Sequence, residues 1–113
     1  MAPSASTSML VVTDVEAAVA FYRDAFGMEF ALTPLRTATC ERGSTVYGLY
    51  EGDGKFEGGR SVALIVDNLD ETHEKAVAAG AGVKLAPKVR AGKRTAEYVD
   101  PDGNVVPLRE AAR

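Results

Sequence analysis

The sequence predicts an α+β fold made of two tandem modules, each a strand, a helix and then three strands. Two observations predict it. Shifting the chain by 54 residues lays VVTDVEAAVAFYRDAFG on IVDNLDETHEKAVAAGA, so a strand end, a helix cap and a helical stripe coincide twice. In that overlay Asp14 meets Asn68, Val15 meets Leu69 and Val19 meets His73. After each helix come three short strand-like runs separated by Gly, Pro and Asp turns. A repeated supersecondary unit is much harder to obtain by chance than any single motif.

The elements follow in order. MAPSASTS, residues 1–8, reads as a flexible N-terminal tail, and residues 9–113 as a single domain. Its modules span about 9–51 and 61–110, with a linker over 51–60. Met9–Val12 is a short apolar strand. Asp14 is an N-cap, and Val15, Ala18, Val19, Tyr22, Ala25 and Phe26 then form one helical face. Gly27 stops the helix in the left-handed region. Met28–Leu32 reads as a strand broken by Pro34, followed by strands near Arg36–Glu41 and Thr45–Tyr50. EGDGKFEGGR carries four Gly and no periodicity, as a connector does.

In the second half Ser61–Val66 is the apolar strand, and Leu69, Thr72, His73, Ala76, Val77 and Gly80 repeat the helical spacing. Val83–Ala86, Thr95–Val99 and Asn104–Arg109 complete the set. Asp100-Pro101-Asp102-Gly103 is a tight turn joining the last two strands. Pro107 is the anomaly. It sits inside the returning strand, where a Pro gives up a ladder hydrogen bond.

Bulk properties narrow the function. The 113 residues suit one compact domain, and a core of that size makes oligomerisation reasonable. A net charge of −3 argues against a nucleic-acid partner, which would want a basic stripe. Lys88, Arg90, Lys93 and Arg94 do cluster; they read as a solvated hairpin, with a clamp for an anionic ligand as the sharper alternative. Cys40 is the single cysteine, so neither an intrachain disulfide nor a Cys-based zinc site is expected. With no signal-peptide pattern and no long apolar run, the reading is a cytoplasmic protein without a membrane span.

TDVEAAVAFYRDAFGMEF, SVALIVDNLDETHEKAVAAGAGV and VDPDGNVVPL together cover most of the chain. In their order and spacing the chain resembles the vicinal-oxygen-chelate superfamily, the glyoxalase, bleomycin-resistance and dioxygenase fold. The resemblance implies modules whose mixed sheet curls into an open cup with the helices outside, and a homodimer with ligand cavities at its interface. Family enzymes hold a divalent metal at four strand positions. Carried onto this chain, those positions are Thr7, Gly48, Ser61 and Pro107. Neither a Gly nor a Pro side chain can ligate a metal. The resemblance therefore points to the metal-free, bleomycin-resistance-like branch, with no metal ligands, no cofactor and no catalytic residue assigned.

Strand alternation says which residues share the cavity face with those positions. They are Thr7, Met9 and Val11 on the first strand, Ser61, Ala63 and Ile65 on the fifth, and Val105, Pro107 and Arg109 on the eighth. On the fourth, either Val46, Gly48 and Tyr50 or Tyr47 and Leu49 point inward; on the seventh, Ala96 and Tyr98 or their neighbours. Tyr47, Tyr50, Phe56 and Tyr98 could stack on a planar ligand. The expected ligand-binding set is Thr7, Met9, Tyr47, Tyr50, Phe56, Ser61, Ala63, Tyr98, Pro107 and Arg109. A mostly apolar wall suits a hydrophobic or aromatic small molecule.

Two functions fit. In one, a homodimer sequesters such a compound, for instance an antibiotic, in a self-resistance or carrier role. In the other, the same fold carries a metal-independent or atypical-metal isomerase, lyase or cyclase, with Glu41, Glu97 or His73 as acid or base. The absence of a visible nucleophile–base pair favours the binder. A regulatory or interaction domain is the third reading.

Overall fold

The computed structural model describes residues 6–42, 45–52 and 63–111. By its contacts the chain divides into two units, one comprising Met1–Arg23 and Gly27–Val62, the other Asp24–Phe26 and Ala63–Arg113. The first contains β1 (Ser6–Val12), most of α1 (Val15–Phe26), β2 (Ala31–Thr33), β3 (Thr37–Arg42) and β4 (Thr45–Glu51). The second contains β5 (Leu64–Val66), α2 (Leu69–Ala78), β6 (Gly82–Arg90), β7 (Lys93–Val99) and β8 (Val105–Glu110). The sheets have the same topology, β1-β4-β3-β2 and β5-β8-β7-β6, and in each the first strand lies parallel to the last. The α+β class and the tandem βαβββ plan are thus present in full.

The helix starts are built as their sequences require. Asp14 and Asn68 are extended N-caps whose side chains accept the N–H groups of Ala17 and Glu71 at 3.1 Å. Gly27 ends α1 at φ 68, the left-handed conformation that Gly adopts without cost. α2 stops earlier than the stripe through Gly80 suggests. Ala79 caps it, and Gly80 lies beyond at φ 97, making it a terminator rather than part of the apolar face.

Several strands differ from expectation, three of them for reasons visible in the packing; β5 is a strand only from Leu64, and β7 begins two residues early, at Lys93. β1 begins at Ser6, inside the expected tail, because Ser6 and Thr7 continue the parallel ladder opposite Thr45 and Val46. The strand expected over Met28–Leu32 contracts to Ala31–Thr33. Met28 donates its N–H to the Tyr22 carbonyl in the helix cap, and Phe30 packs edge-on against Tyr22 at 5.8 Å. Those residues are buried as core, not paired as strand. β6 runs on to Arg90, straight through Pro87, with register shifts at Val83/Leu85 and Leu85/Lys88. Such irregularities on an edge strand are how a Pro is accommodated. The hairpin then turns on Ala91 and Gly92, both at positive φ.

Pro107 has a similar resolution. Ala111 donates its N–H to Val66 of β5, and Asp100 donates to the Asn104 carbonyl at the β7–β8 turn. Alternation from both ends turns the nitrogen of Pro107 away from its β7 partner Glu97 and toward the β5 side. Among the described residues the β5–β8 pairing begins at Leu108, one residue later. The missing N–H therefore falls where the described ladder has not yet started.

Candidate functional site

Each sheet has one buried and one open face. In the first unit Ser8, Val12, Ala38, Cys40, Tyr47 and Leu49 are buried on one side. On the other, Met9 is 38% and Tyr50 51% exposed, with Val11 and Val46 between. Met9 lies opposite Gly48, and its side chain folds over that residue: a Cβ added at Gly48 would come within 2.9 Å of Met9 Cε. The thioether occupies the space a side chain at position 48 would need.

In the second unit α2 packs on β6, β7 and β8. Leu64, Val66, Ala96, Tyr98, Val106 and Leu108 form the buried face. The open face presents Ile65, Thr95, Glu97, Val105, Pro107 and Arg109.

This division settles where the expected ligand residues stand. Met9, Tyr50, Ala63, Pro107 and Arg109 fall on open faces by strand alternation, and Thr7 lies on β1 opposite Val46. Tyr47 and Tyr98 do not. Tyr47 is buried beside Cys40, its partner across β3, and Tyr98 is 0% exposed. Tyr98 shares a 2.7 Å hydrogen bond with His73 Nδ1 and packs against Phe26 at 5.8 Å. Burial, helped by the negative charge of Asp70, pushes its phenol up to about 12. The β4 and β7 alternatives therefore resolve to the set that leaves these two rings in the core. Phe56 and Ser61 lie outside the described residues.

Both units also contain a device that the sequence did not reveal. Glu51, at the end of β4, accepts the Val15 N–H at 3.0 Å and pairs with Arg36 at 3.3 Å. Glu110, at the end of β8, accepts the Leu69 N–H at 2.9 Å and pairs with Arg94 at 3.3 Å. Each last strand thus supplies a carboxylate to an orphan donor at a helix start, where the macrodipole favours negative charge. Arg94 also grips Asp70 at 2.7 Å, and that bond holds the Asp70 carboxyl below its usual range.

A surface depression adjoins each device. That in the first unit is about 300 Å³ and has Asp14, Glu16, Glu51 and Arg36 in its wall. That in the second is about 550 Å³, where β5 and β8 end and β7 begins, and has Lys93, Arg94, Arg109, Glu110 and Ile65 in its wall. The wall of the first is mainly acidic and that of the second mainly basic.

A family model described as Glyoxalase/Bleomycin resistance protein/Dioxygenase superfamily matches residues 5–108. The chain belongs to that superfamily. Solved structures agree in fold. A superfamily member from Sphaerobacter thermophilus DSM 20745 is 26% identical at TM-score 0.73, covering 98% of this chain and 99% of its own. A glyoxalase/bleomycin resistance protein from Albidiferax ferrireducens T118 is 18% identical at TM-score 0.78, covering 95% and 98%. TioX from Micromonospora sp. ML1 is 20% identical at TM-score 0.73, covering 97% and 100%. No curated protein matches the chain.

The glyoxalase superfamily's metal positions can be tested against these residues. Gly48 has no side-chain donor and is covered by Met9, and Pro107 has none either. Among the described residues no three His, Cys, Asp or Glu side chains group as a metal site. This donor set does not fit the superfamily's divalent metal. His73, the only imidazole, is on α2 and bonded to Tyr98 on the buried side of its sheet. Cys40 is buried, and burial pushes its thiol up, away from the reactive thiolate.

Proposed function

We propose that the protein is a cytoplasmic homodimer that binds and sequesters a hydrophobic or aromatic small molecule, such as an antibiotic, without altering it. The observation that carries this reading is the open face of the first sheet. Where metal-using relatives carry a ligand, this chain has Gly48 with Met9 laid over it, and Tyr50 stands beside them half-exposed. A polarizable thioether and an aromatic ring make an adaptable apolar wall. The second sheet offers Ile65 and Pro107 on its open face. Sequestration needs affinity and abundance rather than turnover, and such surfaces can supply the affinity.

The test is titration of the purified protein with a panel of polycyclic aromatic antibiotics, read by thermal shift and calorimetry. A binder at micromolar affinity or better supports the reading. A ligand recovered chemically changed replaces it with a metal-independent isomerase, lyase or cyclase on the same fold. A stoichiometric divalent metal that chelators remove, with loss of ligand binding, overturns it. Light scattering checks the homodimer.

A further inference from the structure

The depression at the end of the second sheet carries a charge pattern that an apolar ligand does not explain. Its volume, about 550 Å³, is in the range of small-molecule sites. Of its three cations, Arg94 is already neutralised by Asp70 at 2.7 Å and Glu110 at 3.3 Å. Glu110 is committed as well, to Arg94 and to the Leu69 N–H. Lys93 and Arg109 are left. Among the described residues neither forms an ion pair with a carboxylate. Glu97 stands on the same open face, opposite Pro107, and makes no ion pair with Arg109.

Arg109 is not a loose surface charge. It lies on the central strand β8, flanked by Ile65 on β5 and Thr95 on β7, and is half-buried. In the wall of the depression an anion can reach this cation. The helix-start device does not require it. In the first repeat Glu51 and Arg36 do that work with Tyr50 in the place of Arg109, the residue just before the glutamate. The positive wall also runs against the net charge of the chain, −3.

We infer that this depression binds the anionic group of the ligand, so that the compound is an amphipathic organic anion. Arg109 presents the planar fork that matches a carboxylate, sulfonate or phosphate, and Lys93 adds a point charge from the hairpin. The apolar body then lies along Ile65 and Pro107, which continue the same face of the sheet. This rests on the binding function proposed above and narrows its ligand class.

The experiment compares two fluorescent probes with the same aromatic body, anilinonaphthalene sulfonate and the uncharged N-phenylnaphthylamine. Both are titrated into the folded protein and into the variants Arg109→Gln, Arg109→Lys, Lys93→Gln and the off-site control Lys75→Gln on the exposed side of α2. The anionic probe is expected to bind at least about tenfold tighter than the neutral one, and inorganic sulfate to displace it alone. Arg109→Gln should weaken the anionic probe about tenfold and leave the neutral probe unchanged. Arg109→Lys should fall between, which guards against a folding defect in Arg109→Gln, and Lys75→Gln should change nothing. Equal affinity for the two probes, or equal weakening of both by Arg109→Gln, overturns the inference while leaving a neutral-ligand binder standing. Binding of neither probe removes the binding function itself, and the inference with it.

Discussion

Replacing Glu110 with Ala removes two interactions at once, the acceptor for the Leu69 N–H at 2.9 Å and the Arg94 ion pair at 3.3 Å. Leu69 is fully buried, and the Glu110 side chain is only 13% exposed, so water is a poor substitute acceptor. A hydrogen bond from such a donor to a charged acceptor contributes about 1.5–3 kcal/mol. The helix dipole adds about 0.3–1 kcal/mol. Arg94 is 35% exposed and keeps Asp70, so losing its second partner costs about 0.5 kcal/mol or less. Glu110→Ala should therefore destabilise by about 2–4 kcal/mol, or roughly 10–20 °C in Tm for a domain of this size. Glu110→Gln keeps an acceptor and should lose only about 1 kcal/mol. Urea unfolding followed by far-UV circular dichroism reads both, with the m-value held as a check on two-state behaviour. In the first unit Glu51→Ala should cost a similar amount, whereas Arg36→Gln should cost little because Arg36 is 81% exposed. A loss below about 0.5 kcal/mol for Glu110→Ala, or equal losses for Ala and Gln, would show that this carboxylate does not hold the helix start.

Tyr98 should make the fold alkali-sensitive. Its folded pKa of about 12 lies above the ordinary 10.0, so its contribution is complete below pH 10 and fades as pH rises toward 12. By pH 12 the difference is about 2–3 kcal/mol, and Tyr98→Phe should remove that part of the slope, leaving the part due to buried Tyr47, whose phenol is also pushed up by burial; an unchanged slope would place the titration elsewhere. Cys40, buried with a raised thiol, should react with an aromatic disulfide reagent only as the protein unfolds, so labelling that is as fast in native protein as in urea would contradict its position. Thr95 carries a buried hydroxyl with no hydrogen-bond partner among the described residues. Thr95→Val should therefore raise stability by about 1 kcal/mol in the same urea assay, and a loss of that size would mean the hydroxyl is bonded.

The sequence was readable where the chemistry is local. Asp14, Asn68 and Gly27 act within one turn of their own positions, and each does what its residue type forecasts. Glu51 and Glu110 were not readable as helix anchors, because their N–H partners lie 36 and 41 residues away. Alternation alone left β4 and β7 with two candidate faces each. On β7 a usable signal was present: Thr95 and Glu97 alternate with Ala96 and Tyr98, and a charged residue marks the side away from the core. In a two-faced sheet the more apolar set goes beneath the helix, so the ring best suited to stacking was taken by the core. On β4 no such signal exists, since Val46, Gly48 and Tyr50 are as apolar as Tyr47 and Leu49. Only the packing distinguishes them.

Pro107 joins the structural and functional arguments. A Pro in a central strand is tolerable only where its nitrogen has no acceptor to lose. On β8 the alternation fixed by Ala111 and Asp100 turns that nitrogen toward β5, where the described pairing starts one residue later, at Leu108. The ladder to β7 passes through position 107 intact, because Glu97 and Pro107 face each other without exchanging backbone bonds. Among the described residues Pro107 interrupts no ladder bond, and its ring projects onto the open face. Arg109, next along the same face, lies with Lys93 in the wall of the depression, and the proposed anion site rests on that pair.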